Sequence, residues 1–237
     1  MHFTSKLTSA MLARRYKRFL ADVVFDSGDM ATVHVANPGP MTGLDRPFSR
    51  VWLSDSGNQL RKFPLTWELV EADLGSGLEL IGVNTTQPSQ LVAEALAAGQ
   101  IPELRNYSSV RRQVKYGGNS RIDFLLEDAA QAPCYVEVNN VHFMRHPRLA
   151  EFPDAVTDRG AAHLDELAAL LTSGARALLL FIIQIASADR LAIARDIDPA
   201  YAEAFARARA KGVQALAWRC RLSDEGIDMA APIPVEG

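Results

Sequence analysis

The stretch Arg121-Ile122-Asp123-Phe124-Leu125-Leu126, followed after a polar connection by Cys134-Tyr135-Val136-Glu137-Val138, decides the fold of the chain's second half. Both segments are short, rich in β-branched and aromatic residues, and apolar apart from isolated charges, which is strand composition. The polar, Pro-containing run from Glu127 to Pro133 joins them as a hairpin. Upstream, Gln90 to Ala98 has helical composition and is stopped by Gly99 and then Pro102. Downstream, a long helix is expected from about Ala155 to Leu171, capped by Asp154 before it and Gly174 after it. Leu178 to Ile185 is the near-continuous apolar run of a strand inside a parallel sheet. Pro199 to Lys211 reads as a further helix with Gly212 at its end, and Val213 to Arg219 as a last strand. Helix, hairpin, helix, strand, helix, strand makes an α/β sandwich around a mixed sheet.

Working back toward the start, the rhythm changes near Asn84. Phe19 to Phe25 and Met30 to Val35 flank the turn-forming cluster Asp26-Ser27-Gly28-Asp29, and further short strands are expected at Val51–Leu53, Phe63–Val70 and Leu78–Val83. Five or so short strands separated by Gly, Pro and Asn suggest a small barrel. The expected division is therefore 1–83 and 84–237, an α+β or α/β protein with a β-barrel followed by a mixed α/β sandwich.

Composition narrows the function classes. The 237 residues are 48% hydrophobic and 22% charged, and 25 cations against 28 acids exclude a wholesale basic DNA coat. Cys134 and Cys220 are too few for a disulfide framework and read as reduced core thiols, which points to the cytoplasm. No apolar export segment separates the early charges. The longest apolar run, Ala177 to Ile183, falls far short of the roughly 20 residues of a spanning helix, so no membrane partner is expected.

The sharpest chemical constellation is Asp123 and Glu137, followed by Asn139. Carboxylates on adjacent antiparallel strands can stand side by side on one face. Two like charges among apolar neighbours are costly unless a cation lies between them. A hard divalent ion such as Mg²⁺ answers that need, with the Val138 carbonyl as a third oxygen ligand. A second reading stays open, in which each carboxylate pairs with a local arginine, Arg121 or Arg159. Glu94, the sole acid between Glu79 and Glu103, is either a third metal ligand or an exposed helix glutamate. Cations gather at Arg14-Arg15-Tyr16-Lys17-Arg18 and again at Arg105, Arg111, Arg112, Lys115 and Arg121; these are phosphate contacts, with Tyr16 or Tyr107 stacking on a base, or simply solvated faces. His142 and His146 lack a third zinc ligand, and His163 reads as a packed or capping residue. No P-loop, nucleophile elbow or Rossmann glycine pattern is present.

Several motifs together resemble the sugar fermentation stimulation protein A family. They are Arg15-Tyr16-Lys17-Arg18-Phe19-Leu20-Ala21-Asp22, Val114-Lys115-Tyr116-Gly117, Ser120-Arg121-Ile122-Asp123-Phe124, Tyr135-Val136-Glu137-Val138 and Phe152-Pro153-Asp154-Ala155-Val156-Thr157-Asp158-Arg159-Gly160. Asn37-Pro38-Gly39-Pro40-Met41-Thr42-Gly43 resembles that family's Asn-x-Gly-x-Met loop. The resemblance implies an OB-like N-terminal barrel and a C-terminal domain of restriction-endonuclease-like fold, related to the PD-(D/E)xK nucleases. It also implies DNA binding, tied to regulation of sugar (maltose) metabolism genes. Carried over residue by residue, Asp123 and Glu137 become ligands of Mg²⁺ or Mn²⁺, and Glu94 the helix acid.

One departure stands out. The nuclease pattern continues Glu-x-Lys, and here the third position is Asn139. A cation at about 4 Å in a medium of effective dielectric ~20 contributes roughly 4 kcal/mol, so its loss slows chemistry by about a thousandfold. Lys115 and Arg121 flank the site as substitutes. Pro38 stands where the family has Ser or Thr, which removes a hydroxyl and an N–H from that loop. The expectation is a cytoplasmic, largely sequence-nonspecific DNA-binding protein. Arg14, Arg15, Lys17, Arg18, Arg111, Arg112, Lys115 and Arg121 would meet phosphates, and the barrel would offer a groove for single- or double-stranded DNA. The alternatives are an active Mg²⁺-dependent phosphodiesterase, with Asn139 or Lys115 placing the water, and a non-enzymatic regulator or scaffold that binds a protein or metabolite.

Overall fold

A computed structural model describes residues 1–58, 60–116, 120–157 and 159–236. Gly117 and Asp158, each part of a motif above, lie outside the described residues.

The first unit is a six-stranded sheet in the order β3-β2-β1-β4-β5-β6 that closes on itself through a parallel β3–β5 pairing. Its strands are β1 (Thr8–Tyr16), β2 (Leu20–Val24), β3 (Met30–Val35), β4 (Arg50–Asp55), β5 (Leu65–Asp73) and β6 (Leu78–Gly82). Closure leaves one apolar interior, filled by Leu12, Val23, Val33, Leu53 and Trp67. β1 was not expected as a strand. Its buried alternation, Ala10 and Leu12, is only two residues deep before the charged run from Arg14 begins.

The second unit starts with α1 (Gln87–Ala97) and is built on a six-stranded mixed sheet in the order β15-β14-β12-β9-β8-β7. β7 (Ser109–Tyr116), β8 (Ser120–Asp128) and β9 (Gln131–Val141) run antiparallel, β12 (Arg176–Ile183) lies parallel to β9 and to β14 (Gln214–Leu222), and β15 (Ile227–Ile233) returns antiparallel. The apolar run around residue 180 is thus the central strand, as its all-apolar composition requires. α1 packs Leu91, Val92 and Ala95 on one face against Val136, Leu178 and Leu180. α2 (Gly160–Ala169) and α3 (Pro199–Lys211) cover the other face, where Leu179, Phe181 and Phe205 meet. A small side sheet of β10 (Phe143–His146), β11 (Leu149–Phe152), β13 (Arg190–Ile193) and β16 (Val235–Glu236) was not anticipated.

Two helix expectations need correction. α2 starts at Gly160 rather than Ala155, and a tight 3-10 turn, Leu170–Ser173, carries it to Gly174. Asp154 does not cap it. The preceding segment is held out of the helix by Asp198, whose carboxylate accepts from the Thr157 N–H at 2.8 Å and hydroxyl at 3.0 Å. Glycine is needed where α2 begins, because a Cβ at Gly160 would press on Thr157 and lie 2.9 Å from Tyr201. At the other end, β14 is followed by β15, on which the chain's first residues pack: the Met1 ammonium donates to the Ile227 carbonyl at 2.6 Å. Among the described residues no helix is long and apolar enough to cross a membrane.

Candidate metal centre

β8 and β9 pair as far as Phe124 opposite Val136, and just beyond that last pair the Asp123 carboxylate takes the Val138 N–H and stands close to Glu137. Cys134 and Val136 face α1, so Glu137 and Asn139, at alternate positions, face the opposite side with Leu179 level beside Glu137. The structure therefore brings Asp123, Glu137 and Asn139 together.

The two carboxylates are treated differently. Asp123 accepts from the Val138 N–H at 2.8 Å through one oxygen and from Gln113 Nε2 at 2.9 Å through the other. Gln113 reaches it because its own backbone is left-handed, with φ of 53°, which breaks the regular course of β7. Burial raises the Asp123 pKa, and the Val138 N–H, Gln113 and Arg112 partly offset that rise. Glu137 has no such support among the described residues: its Oε2 is buried without a hydrogen-bond partner there. Burial, and after it the charge of Asp123, push the Glu137 carboxyl up to about 8.

These features test whether a metal ion fits. An orphaned carboxylate oxygen beside a second carboxylate is the arrangement a hard cation relieves. A strand residue turns its N–H and C=O to the same side, so Val138, whose N–H meets Asp123, presents its carbonyl there too. Among the described residues no group of three or more His, Cys, Asp or Glu side chains comes together. The alternative of local arginine partners does not describe the pair, since Arg121 donates to the Gln113 carbonyl at 3.0 Å and Arg159 is exposed at the start of α2.

Several expected residues lie elsewhere. Glu94 sits on α1, across the sheet from Glu137, where it takes the Met1 ammonium at 3.1 Å and Gln90 at 3.0 Å. It is not brought to the pair. Lys115 is exposed, and alternation turns it away from the face on which its neighbour Tyr116 stands, so it does not reach the carboxylates. Arg15 is no open phosphate contact: its side chain is 9% exposed, and it donates to the carbonyls of Arg18 at 3.0 Å, Asn37 at 2.9 Å, Gly39 at 2.8 Å and Pro40 at 3.3 Å. It braces the loop after β3. That loop also depends on Gly39, whose absent Cβ would lie 2.7 Å from Asp154.

The remaining cations form two exposed groups. Arg14, stacked over Tyr16 and paired with Asp22 at 2.8 Å, lies beside Lys17 and Arg18, which form a turn with φ of 50° and 62°. Arg111, Arg112, Lys115 and Arg121 are exposed near the β7 edge, with Arg111 3.3 Å from Glu127 and Arg112 over the Phe124 ring. Neither tyrosine is an open platform: Tyr16 donates to Asp22 at 3.0 Å, and Tyr107 donates to the Ala132 carbonyl at 2.9 Å.

His142 and His146 part company. His142 is buried between Asn140, 2.7 Å from Nδ1, and Asp154, 3.4 Å from Nε2, whereas His146 is exposed.

Reading the sequence missed a cleft of about 470 Å³, including its open mouth, that lies against Glu137 and Asn139. Tyr116, Phe152, Leu164 and Tyr201 form its walls, and His163 lies at its lining rather than as a cap. Glu166, on α2, takes a short hydrogen bond from Ser120. Tyr201 carried no distinguishing signal, because a tyrosine on an amphipathic helix reads as core.

A family model described as the sugar fermentation stimulation protein RE domain matches residues 86–226, and one for the SfsA N-terminal OB domain matches 13–83. A sugar fermentation stimulation protein homolog from Azorhizobium caulinodans is 55% identical over 237 residues, covering 100% of both chains. One from Rhodospirillum centenum is 56% identical over 227 residues, covering 96% of each. The structure of Pyrococcus furiosus SfsA in complex with Ca²⁺ superposes with a TM-score of 0.87 at 23% identity, covering 100% of this chain and 98% of that one. The OB-like barrel followed by a mixed α/β unit is thus a shared fold.

Proposed function

The chain belongs to the sugar fermentation stimulation protein family, and from that premise we propose that it is a largely sequence-nonspecific DNA-binding protein whose Asp123–Glu137 pair holds a divalent cation. The observation that carries this reading is Glu137, a buried acid with an orphaned oxygen and a like charge beside it. Mg²⁺ or Mn²⁺ suits two carboxylates and a carbonyl, with water or a phosphate oxygen completing the shell. The Ca²⁺ named for the Pyrococcus relative supports an oxygen-ligand site.

Bound there, such an ion polarises a phosphodiester oxygen and acidifies a water. The chain's own residues supply the rest. Arg111 and Arg112, exposed near the same hairpin, meet phosphates, while Arg14, Lys17 and Arg18 form a second contact at the barrel. Asn139 orients a water through its amide oxygen and brings no positive charge, so binding is favoured over rapid cleavage. A cytoplasmic role in regulating sugar-metabolism genes is the physiological reading we attach to this activity. It accords with two buried thiols, Cys134 and Cys220, which burial pushes up to about 11 and about 12.

The test is anisotropy of labelled single- and double-stranded DNA across a salt series in Ca²⁺. Each phosphate neutralised on duplex steepens the log–log salt slope by about 0.9. Reversing Arg111 and Arg112 to Glu should flatten it by roughly two such steps. Absence of binding at low salt overturns the proposal.

A further inference from the structure

We infer that the cleft beside Glu137 receives a single unpaired nucleobase, so that the ligand is a nucleotide whose base is inserted there and whose phosphate meets a cation held by the carboxylate pair. This rests on the DNA-binding reading above and adds to it the strandedness of the ligand.

Two unpartnered polar groups line the cleft in addition to Glu137. Among the described residues, Asn139 Nδ2 is buried with no acceptor, and the Tyr201 hydroxyl, on a residue 4% exposed, has no partner. A buried polar atom left unpaired costs about 1–3 kcal/mol, so two in one cleft call for a polar occupant. The walls call for a flat, apolar-faced one. Phe152 and Tyr201 stand edge-to-face with centroids 5.3 Å apart, and Tyr116 and Leu164 complete the lining.

A nucleobase satisfies both demands. Its π-faces suit the aromatic walls, and the pairing edge of every base carries a donor beside an acceptor. Asn139 donates to that acceptor, and the Tyr201 hydroxyl, able to donate or accept, takes the neighbouring group. In a duplex the same edge is consumed by the opposite strand, so only an unpaired or extruded base can enter. Glu137 and Asp123 stay available for the cation, since neither group assigned to the base is a carboxylate.

The experiment compares two labelled oligonucleotides of equal length in Ca²⁺, one ordinary single strand and one carrying abasic sites throughout, on the full chain. Base stacking contributes roughly 1–3 kcal/mol, so the ordinary strand should bind roughly tenfold tighter. Asn139→Ala and Tyr201→Phe should each bring that ratio toward one with the salt slope unchanged, while Glu94→Gln should leave the ratio intact. Equal affinity for both strands, or a ratio insensitive to both cleft substitutions, overturns the inference and leaves DNA binding standing. Failure of either strand to bind at low salt removes the DNA-binding reading and this inference with it.

Discussion

Glu68 and Glu137 are acids on interior strands, one in each unit, and the protein handles them in opposite ways. Glu68, 4% exposed, accepts from Ser54 Oγ at 2.6 Å, Asn84 Nδ2 at 2.8 Å and Gln87 Nε2 at 2.9 Å. Two of those donors come from the start of the second unit, so the carboxylate joins barrel to sandwich. Glu151, 5% exposed, is likewise supplied, in its case by Arg145 at 2.6 and 3.0 Å. Glu137 receives none of this: its Oε2 is unpartnered, and Asp123 presses on it with the same charge. An acid that serves architecture is given its donors by the fold. One left short of them is where something from outside must arrive.

The sharpest way to break that contrast is to remove each acid in turn. Glu68→Ala leaves Asn84 Nδ2 a buried donor without its acceptor and strips the half-buried Ser54 and Gln87 of theirs, so a loss of about 2–4 kcal/mol is expected by urea denaturation. Glu137→Gln, which removes only the charge, should leave the metal-free protein at pH 8 as stable as before or more so. Equal losses from the two substitutions would place Glu137 among the structural acids. Metal provides the next largest effect. At a hundred times its dissociation constant, Ca²⁺ should stabilise the protein by about 2.7 kcal/mol. Glu137→Gln and Asp123→Asn should abolish the accompanying rise in Tm, and Glu94→Gln should not alter it. A rise that survives loss of either pair member would sever the metal from this site.

The same contrast explains what the sequence made legible. Asp123 and Glu137 could be paired in advance because a hairpin fixes register and strand alternation fixes face, both local properties. The central strand around Leu180 was visible because only a strand buried on both sides is apolar at every position. Arg15 misled because a run of charge says nothing of which carbonyls fold back upon it; its partners lie about twenty residues on, in the loop after β3. Asp154 resembled a cap, yet the first turn of α2 is displaced by Asp198, a residue of a distant helix. β7 was hidden by its position at the sheet edge, where mostly exposed, polar side chains erase the period-two signal. The cleft needs Tyr116, Phe152 and Tyr201 from three separate elements, and no linear pattern joins them.

The effect that isolates the orphaned oxygen is a pH dependence. Glu137 titrates near 4.5 when unfolded and at about 8 when folded, so between those values the folded state holds a proton that the unfolded state has released. Stability of the metal-free protein must therefore fall as pH rises through that window, by no more than about 1.4 kcal/mol per pH unit, and level off above it. Glu137→Gln should flatten this segment of a stability–pH curve measured by chemical denaturation in EDTA. Saturating Ca²⁺ should flatten it as well, because the cation favours the ionised form in the folded state. Asn139→Lys supplies a fixed positive charge two residues away on the same face, lowering the folded pKa and shrinking the window from its upper end. If instead the fall persists in Glu137→Gln, the titrating proton belongs to another group and Glu137 is not the acid the fold left unsatisfied.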